Sequence, residues 1–168
     1  SGLVEDITAE ELKTLKLKKS GEPVPLALDL LSYFKDKPDI FIELEMKTGN
    51  TNVYTQARLE TYCRLLHDAV KATLPTGTCS FTSFDQRALR TMRRLYPDAS
   101  VTLIVGGALD DKQIKTALAL GCRRISPVMD VTSRKAIKDA KKAGLEVTGW
   151  PTRSDADYAL GVALGFDC

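Results

Sequence analysis

Between Ile40 and Gly49 the chain reads IFIELEMKTG, and its apolar and charged residues alternate. Phe41, Glu43, Glu45 and Lys47 fall on one side; Ile42, Leu44 and Met46 fall on the other. A period of two predicts a β-strand over 40–47. The period then changes: over 54–73, Leu59, Cys63, Leu66 and Val70 recur at helical spacing and predict a long amphipathic helix. Beyond it the two patterns take turns. Strands are predicted at 79–84, 101–106, 123–128 and 146–151, each leading to a helix, at 86–95, 111–120, 132–143 and 154–164. The final GFDC reads as the start of one more strand. Ahead of the charged strand, Asp6–Leu17 reads as a short helix capped by Thr8, with Glu11 completing a capping box. Ser20–Pro25 breaks it, and a second helix follows over 26–35.

Strand–helix alternation calls for a parallel sheet, either doubly wound or closed into a barrel. Gly121 and Gly144 suit left-handed helix caps before the next strand. Polar or unusual residues gather toward strand C-termini: Glu45 and Lys47, Ser83 and Asp85, and Trp150. That end carries the site in barrels, but also in doubly wound sheets, so the pattern favours the barrel by a margin only. No GxGxxG follows a strand and no GxxxxGK[ST] occurs; Gly106-Gly107 reads as a βα turn.

Composition adds limits. A length of 168 residues suits a single domain, 1–168. The 24 basic and 22 acidic side chains leave a net charge of +2, which is no footprint for nucleic acid or anionic membrane. No apolar run approaches the ~20 residues of a membrane helix, and no signal-peptide pattern opens the chain. Ser1-Gly2 reads as a remnant of an expression vector. The four cysteines, Cys63, Cys79, Cys122 and Cys168, lack CxxC spacing, which argues against zinc and against a disulfide scaffold. Reduced thiols point to a cytoplasmic setting, with periplasmic or extracellular alternatives open.

Several residues have plain structural readings. Asp85 is placed to cap the helix at 86–95. Ser83 has no histidine to activate it as a nucleophile. His67, the single histidine, sits on the long helix as a packing or solvated residue. The basic runs ALRTMRRLY and SRKAIKDAKKAG read as solvated helix faces. For Glu43, Glu45 and Lys47 the plain reading is a salt-bridged interior.

Taken in order, ITAEELKTLKL…GEPVPLALDLLSYF, IELEMKT, TSFDQRALRTMRRLYPDASVTLIVG, ISPVMDVTSRKAIKDAKKAGLEVTGWPT and ALGFD resemble the glycerophosphodiester phosphodiesterases along nearly the whole chain. The resemblance implies a (β/α)8 TIM barrel, here incomplete, with about strands three to eight. It implies hydrolysis of glycerophosphodiesters to an alcohol and glycerol 3-phosphate with a divalent metal, Mg²⁺ or Ca²⁺. By motif match Glu45 is the metal ligand, Lys47 the catalytic and phosphate-binding lysine, and Trp150 a wall of the substrate pocket. Phe84, in the matching Ser83-Phe84-Asp85, joins the substrate side, against simple packing. Pro151 departs from the threonine usual after that tryptophan. The chemistry suits a strand, because residues two apart share a face. A hard cation prefers carboxylate oxygen, and a lysine offers three donors to phosphate oxygens. Glu43, one step deeper, is read as a partner of Lys47 or of a buried basic group rather than as a direct metal ligand.

The family's His-Arg-Gly and Glu-x-Asp motifs are not in this chain, and its one His-Asp pair, His67-Asp68, lies on the long helix, at the wrong place in the order. The chain then reads as a fragment of a longer enzyme, as one piece of a split protein, as a non-catalytic relative, or as a new enzyme on the same frame. Open strand edges predict self-association or a partner chain that completes the barrel. The expected ligand is a small phosphodiester. A competing function is a binding or interaction module that recognises a phosphate ligand or a protein without turnover; an unrelated nucleotide-binding enzyme would need a motif that is missing.

Overall fold

The structure, a computed structural model, describes residues 4–168; Ser1 and Gly2, read above as a vector remnant, lie outside them. Its helices are α1 (Ala9–Thr14), α2 (Ala27–Phe34), α3 (Gln56–Thr73), α4 (Gln86–Leu95), α5 (Asp111–Ala119), α6 (Arg134–Lys142) and α7 (Asp155–Leu164). Its strands are β1 (Ile42–Glu45), β2 (Cys79–Ser83), β3 (Val101–Ile104), β4 (Arg124–Ser126) and β5 (Glu146–Val147). Short 3₁₀ turns occupy Val4–Asp6 and Met129–Val131. The chain divides into two compact units, residues 1–41 with 65–78 and residues 42–64 with 79–168.

In the first unit α1 starts on the expected capping box. The Thr8 amide donates to Glu11 Oε2 at 2.7 Å, and the Glu11 amide donates to Thr8 Oγ1 at 3.2 Å. Two orphan amides of the first turn are thereby satisfied. A turn follows, in which the Leu17 amide bonds the Glu22 carbonyl and Gly21 takes φ +74°. In α2 Leu31 is buried, while Leu28 and Tyr33 are exposed and Lys37 Nζ stands 3.2 Å from the Tyr33 ring centroid.

The second unit holds the sheet. All its strands are parallel and lie in the order β1-β2-β3-β4-β5. A doubly wound sheet reverses direction at a switch point; here each strand lies beside its predecessor and the winding never reverses. That is the wall of a barrel, and it resolves the choice the strand–helix alternation left open. Register explains the faces. Leu44, Phe81 and Val101 align, as do Ser83, Leu103, Ile125 and Val147. This side is largely apolar, with Phe81, Val101, Leu103, Ile125 and Val147 buried, and α4, α5 and α6 lie against β2–β3, β4 and β5. The opposite side carries Glu45, Thr82, Thr102, Arg124 and Glu146 in one row across five strands. A polar inner wall and an apolar outer wall are thus the two halves of the alternation seen in the sequence.

All five expected strands come out shorter: Cys79–Ser83 loses one residue, and Arg124–Ser126 keeps half of 123–128. The strand expected at 101–106 ends at Ile104, ahead of Gly106-Gly107, and the one at 146–151 is assigned only over Glu146–Val147. Its pairing nevertheless continues, since the Trp150 amide reaches the Pro127 carbonyl and Val128 bridges Trp150. The GFDC segment is not a strand. Its Asp167 amide still donates to the Val147 carbonyl, and Cys168 accepts from the Gly149 amide, so it follows the path a further strand would take. As expected, Gly121 (φ +69°) and Gly144 (φ +91°) sit in the left-handed region after α5 and α6.

Candidate phosphate-binding cleft

At the C-terminal ends of β1 and β2 an open cleft of about 370 Å³ is lined by Glu45, Lys47, Thr48, Phe84, Asp85 and Arg87 among others. Glu45 ends β1 on the polar wall, and Lys47 follows two residues on, so both project from the same side. Lys47 Nζ stands 3.6 Å from Glu45 Oε2. The ammonium is largely in solvent, with 79% of its side chain exposed, whereas the Glu45 side chain is 35% exposed. An ion pair this open contributes little to stability, so its ammonium remains available to a second anion.

Phe84 closes one side. Its ring meets Trp150 edge to face at a centroid separation of 5.6 Å and an interplanar angle of 86°, a favourable arrangement of aromatic quadrupoles. Trp150 is fixed by its indole Nε1, which donates to the carbonyls of Val105 (3.2 Å) and Ser126 (3.0 Å). Trp150 therefore stands at the same end of the sheet as Glu45 and Lys47, reached through Phe84. The Trp150–Pro151 peptide is cis.

Asp85 caps α4 as expected, accepting from the Arg87 amide at 3.0 Å. It does more than cap. Oδ1 also accepts from Arg87 Nε (3.1 Å), while Oδ2 accepts from Arg87 Nη2 (2.8 Å) and from the Thr48 hydroxyl (2.9 Å). Burial pushes the Asp85 pKa up, but the hydrogen bonds from Arg87 and Thr48 and the guanidinium charge outweigh it and hold the carboxyl below its ordinary 3.8. Ser83 has a structural use too: its hydroxyl donates to the Met46 carbonyl at 2.6 Å and accepts from the Asp85 amide. Arg87 escaped the sequence reading. The available signal was the short spacing in SFDQR, which puts an arginine two residues after a capping aspartate.

Deeper on the wall, burial raises the Glu43 pKa, and the charge of Arg124 partly offsets this. Of the two partners expected for Glu43, the basic group is the one it senses; Lys47 pairs with Glu45 instead. Arg124 Nε itself holds Glu146 Oε2 at 2.6 Å, and Arg123 Nε holds the other oxygen at 3.0 Å. His67 lies on α3, half-buried and 3.5 Å from Asp68, and does not line the cleft.

Among the described residues no three His, Cys, Asp or Glu side chains gather into a metal-binding group. Mg²⁺ needs near-octahedral oxygen ligation and Ca²⁺ takes 6–8 oxygens; Glu45 offers one carboxylate, and Asp85 is taken up by Arg87 and Thr48. These residues do not by themselves form a cation site. Nor is any helix of the described residues long and apolar enough to cross a membrane.

Among solved structures, a phosphodiesterase of Oleispira antarctica in complex with its product sn-glycerol-3-phosphate is 18% identical, with a TM-score of 0.83 over 99% of this chain and 67% of its own. A glycerophosphodiester phosphodiesterase of Parabacteroides distasonis is 22% identical, with a TM-score of 0.72 over 95% of this chain and 64% of its own. A Galdieria sulphuraria protein assigned the same activity gives a TM-score of 0.81 at 19% identity, covering 99% of this chain and 67% of its own. The chain spans about two thirds of the length of these structures, and its five consecutive parallel strands are an incomplete TIM barrel. No curated protein matches it. The family model for glycerophosphoryl diester phosphodiesterases matches residues 1–168, and the chain belongs to that family.

Proposed function

We propose that the chain forms the phosphate-binding wall of a glycerophosphodiester hydrolase that releases an alcohol and glycerol 3-phosphate with the aid of Mg²⁺ or Ca²⁺. The observation that carries this reading is the placement of Glu45 and Lys47 side by side at the C-terminal end of one strand, in a cleft walled by Phe84. Lys47 binds the phosphate oxygens and stabilises charge that develops on them. Glu45 contributes one carboxylate to a cation site whose other ligands come from outside the described residues. Phe84 and Trp150 face the organic part of the substrate. The resemblance assigns proton transfer to the leaving alkoxide, a role worth about 10²–10⁴-fold, to two histidines, and no histidine lines the cleft; on our reading the chain works as part of a completed barrel and is inactive alone. We place it in the cytoplasm, on its four unpaired cysteines.

The test adds back a segment carrying the family's His-Arg-Gly and Glu-x-Asp motifs and measures release of glycerol 3-phosphate. Metal-dependent release is expected, with loss of activity in Glu45→Gln. Activity that survives this substitution counts against the metal role of Glu45. The second reading, a module that binds a phosphate ligand without turnover, is favoured by the exposed Lys47 ammonium, which needs no further group to hold an anion. Binding of glycerol 3-phosphate without turnover by the completed protein would select it.

A further inference from the structure

We propose that Arg87 is a positioning residue for phosphate binding: through Asp85 and two loop carbonyls it holds residues 48–54 so that Lys47 is aimed into the cleft. The inference rests on the reading that Lys47 takes the phosphate. Lys47 cannot hold itself in place. Among the described residues its ammonium has only the loose contact with Glu45, and four methylenes separate it from the backbone. Its direction is therefore set by the backbone at 47 and 48, just where the sheet stops supplying support: the last ladder bond is from the Met46 amide to the Thr82 carbonyl, at 2.7 Å.

Past that point the Thr48 amide donates to the Met46 carbonyl at 3.1 Å, and the Val53 and Tyr54 amides close a turn on the Asn50 carbonyl. The bonds that tie the segment to the rest of the barrel wall, however, converge on one guanidinium and the carboxylate it holds. Arg87 Nη2 donates to the Thr48 carbonyl at 3.2 Å, and Nη1 donates to the Tyr54 carbonyl at 3.1 Å. These carbonyls are the two ends of the segment. The same fork grips both oxygens of Asp85, whose Oδ2 also takes the Thr48 hydroxyl. Thr48 is 1% exposed and the Asp85 side chain 10%, while the Arg87 side chain is 34% exposed, so the bonds are partly shielded from water. Arg87 thus ties the first turn of α4 to both ends of the loop that begins at Lys47. Its charge is already matched by Asp85, which argues for positioning rather than for direct contact with the anion. A lysine in its place keeps the charge but loses the planar fork. The loop, and Lys47 with it, would then be ordered only on binding, at a cost in affinity.

The test is a double-substitution cycle on the full 168-residue chain, with glycerol 3-phosphate as the probe in calorimetric titration. Lys47→Ala and Arg87→Lys are each expected to weaken binding by about tenfold, but Arg87→Lys is expected to weaken it little further once Lys47 is gone. Hydrogen exchange at 49–54 should quicken in Arg87→Lys. Thr48→Val, which leaves the Arg87–Asp85 pair intact, should show the same dependence on Lys47 and serves if Arg87→Lys fails to fold. An equal loss from Arg87→Lys with and without Lys47, or unchanged affinity in Arg87→Lys, overturns the positioning role and leaves the phosphate reading standing. No binding by the chain, or full affinity in Lys47→Ala, overturns the phosphate reading itself.

Discussion

At the scale of single residues, two carboxylates, Glu43 on β1 and Asp85 at the cap of α4, respond to pH in opposite ways. Asp85 has a lowered folded pKa, so its contribution is complete above the unfolded value and is lost as pH falls through the folded one. Asp85→Asn is expected to cost about 1–3 kcal/mol at neutral pH and to flatten the loss of stability below about pH 4; denaturant midpoints across that range measure both. Glu43 is the reverse. Its folded pKa is raised by desolvation, so the cost of its charge is absent at low pH and sets in as pH rises through the folded value. Glu43→Gln is therefore expected to stabilise the protein at pH 7 by less than about 1 kcal/mol, since Glu43 is partly in solvent, and to have no effect near pH 3. Glu45 and Lys47 were legible in the sequence because alternation alone puts them on one face. Arg87 was not: its partners, Thr48 and Tyr54, lie 39 and 33 positions away, and no local pattern encodes a contact between a helix and a distant loop.

At the scale of elements the local signals carried far. The capping residues Thr8 and Asp85, together with Gly121 and Gly144, mark helix ends because each satisfies orphan backbone groups with chemistry internal to a few residues. Strand ends were less legible, as at 146–151, because a strand's extent is decided by its neighbour across the ladder. Burial within these elements also fixes the thiols. Desolvation pushes Cys63 and Cys122 to about 11 and Cys79 to about 12, while Cys168 is exposed. Because the thiolate is the reactive form, a thiol reagent at pH 8 is expected to label Cys168 quickly and the other three only after unfolding. Rapid labelling of Cys63 in the native protein would contradict this packing.

At the scale of the whole molecule, the order of strands was out of reach of the sequence, where doubly wound and barrel arrangements share the same alternation. Only the unreversed pairing β1 to β5 separates them. That pairing also leaves β1 as an edge, with no strand on its far side among the described residues. Unpaired backbone groups along an edge invite pairing with another chain, so the protein is expected to associate. Sedimentation velocity should show species heavier than the 18.4 kDa monomer; a lone monomer with a single cooperative melt would contradict this. The central claim, however, concerns the polar wall, and a crystal structure with glycerol 3-phosphate tests it most directly. The account predicts the phosphate at the C-terminal end of β1, with an oxygen within about 2.7–3.2 Å of Lys47 Nζ and the glycerol toward Phe84. A phosphate bound elsewhere, with Glu45 and Lys47 still paired only to each other, would contradict it.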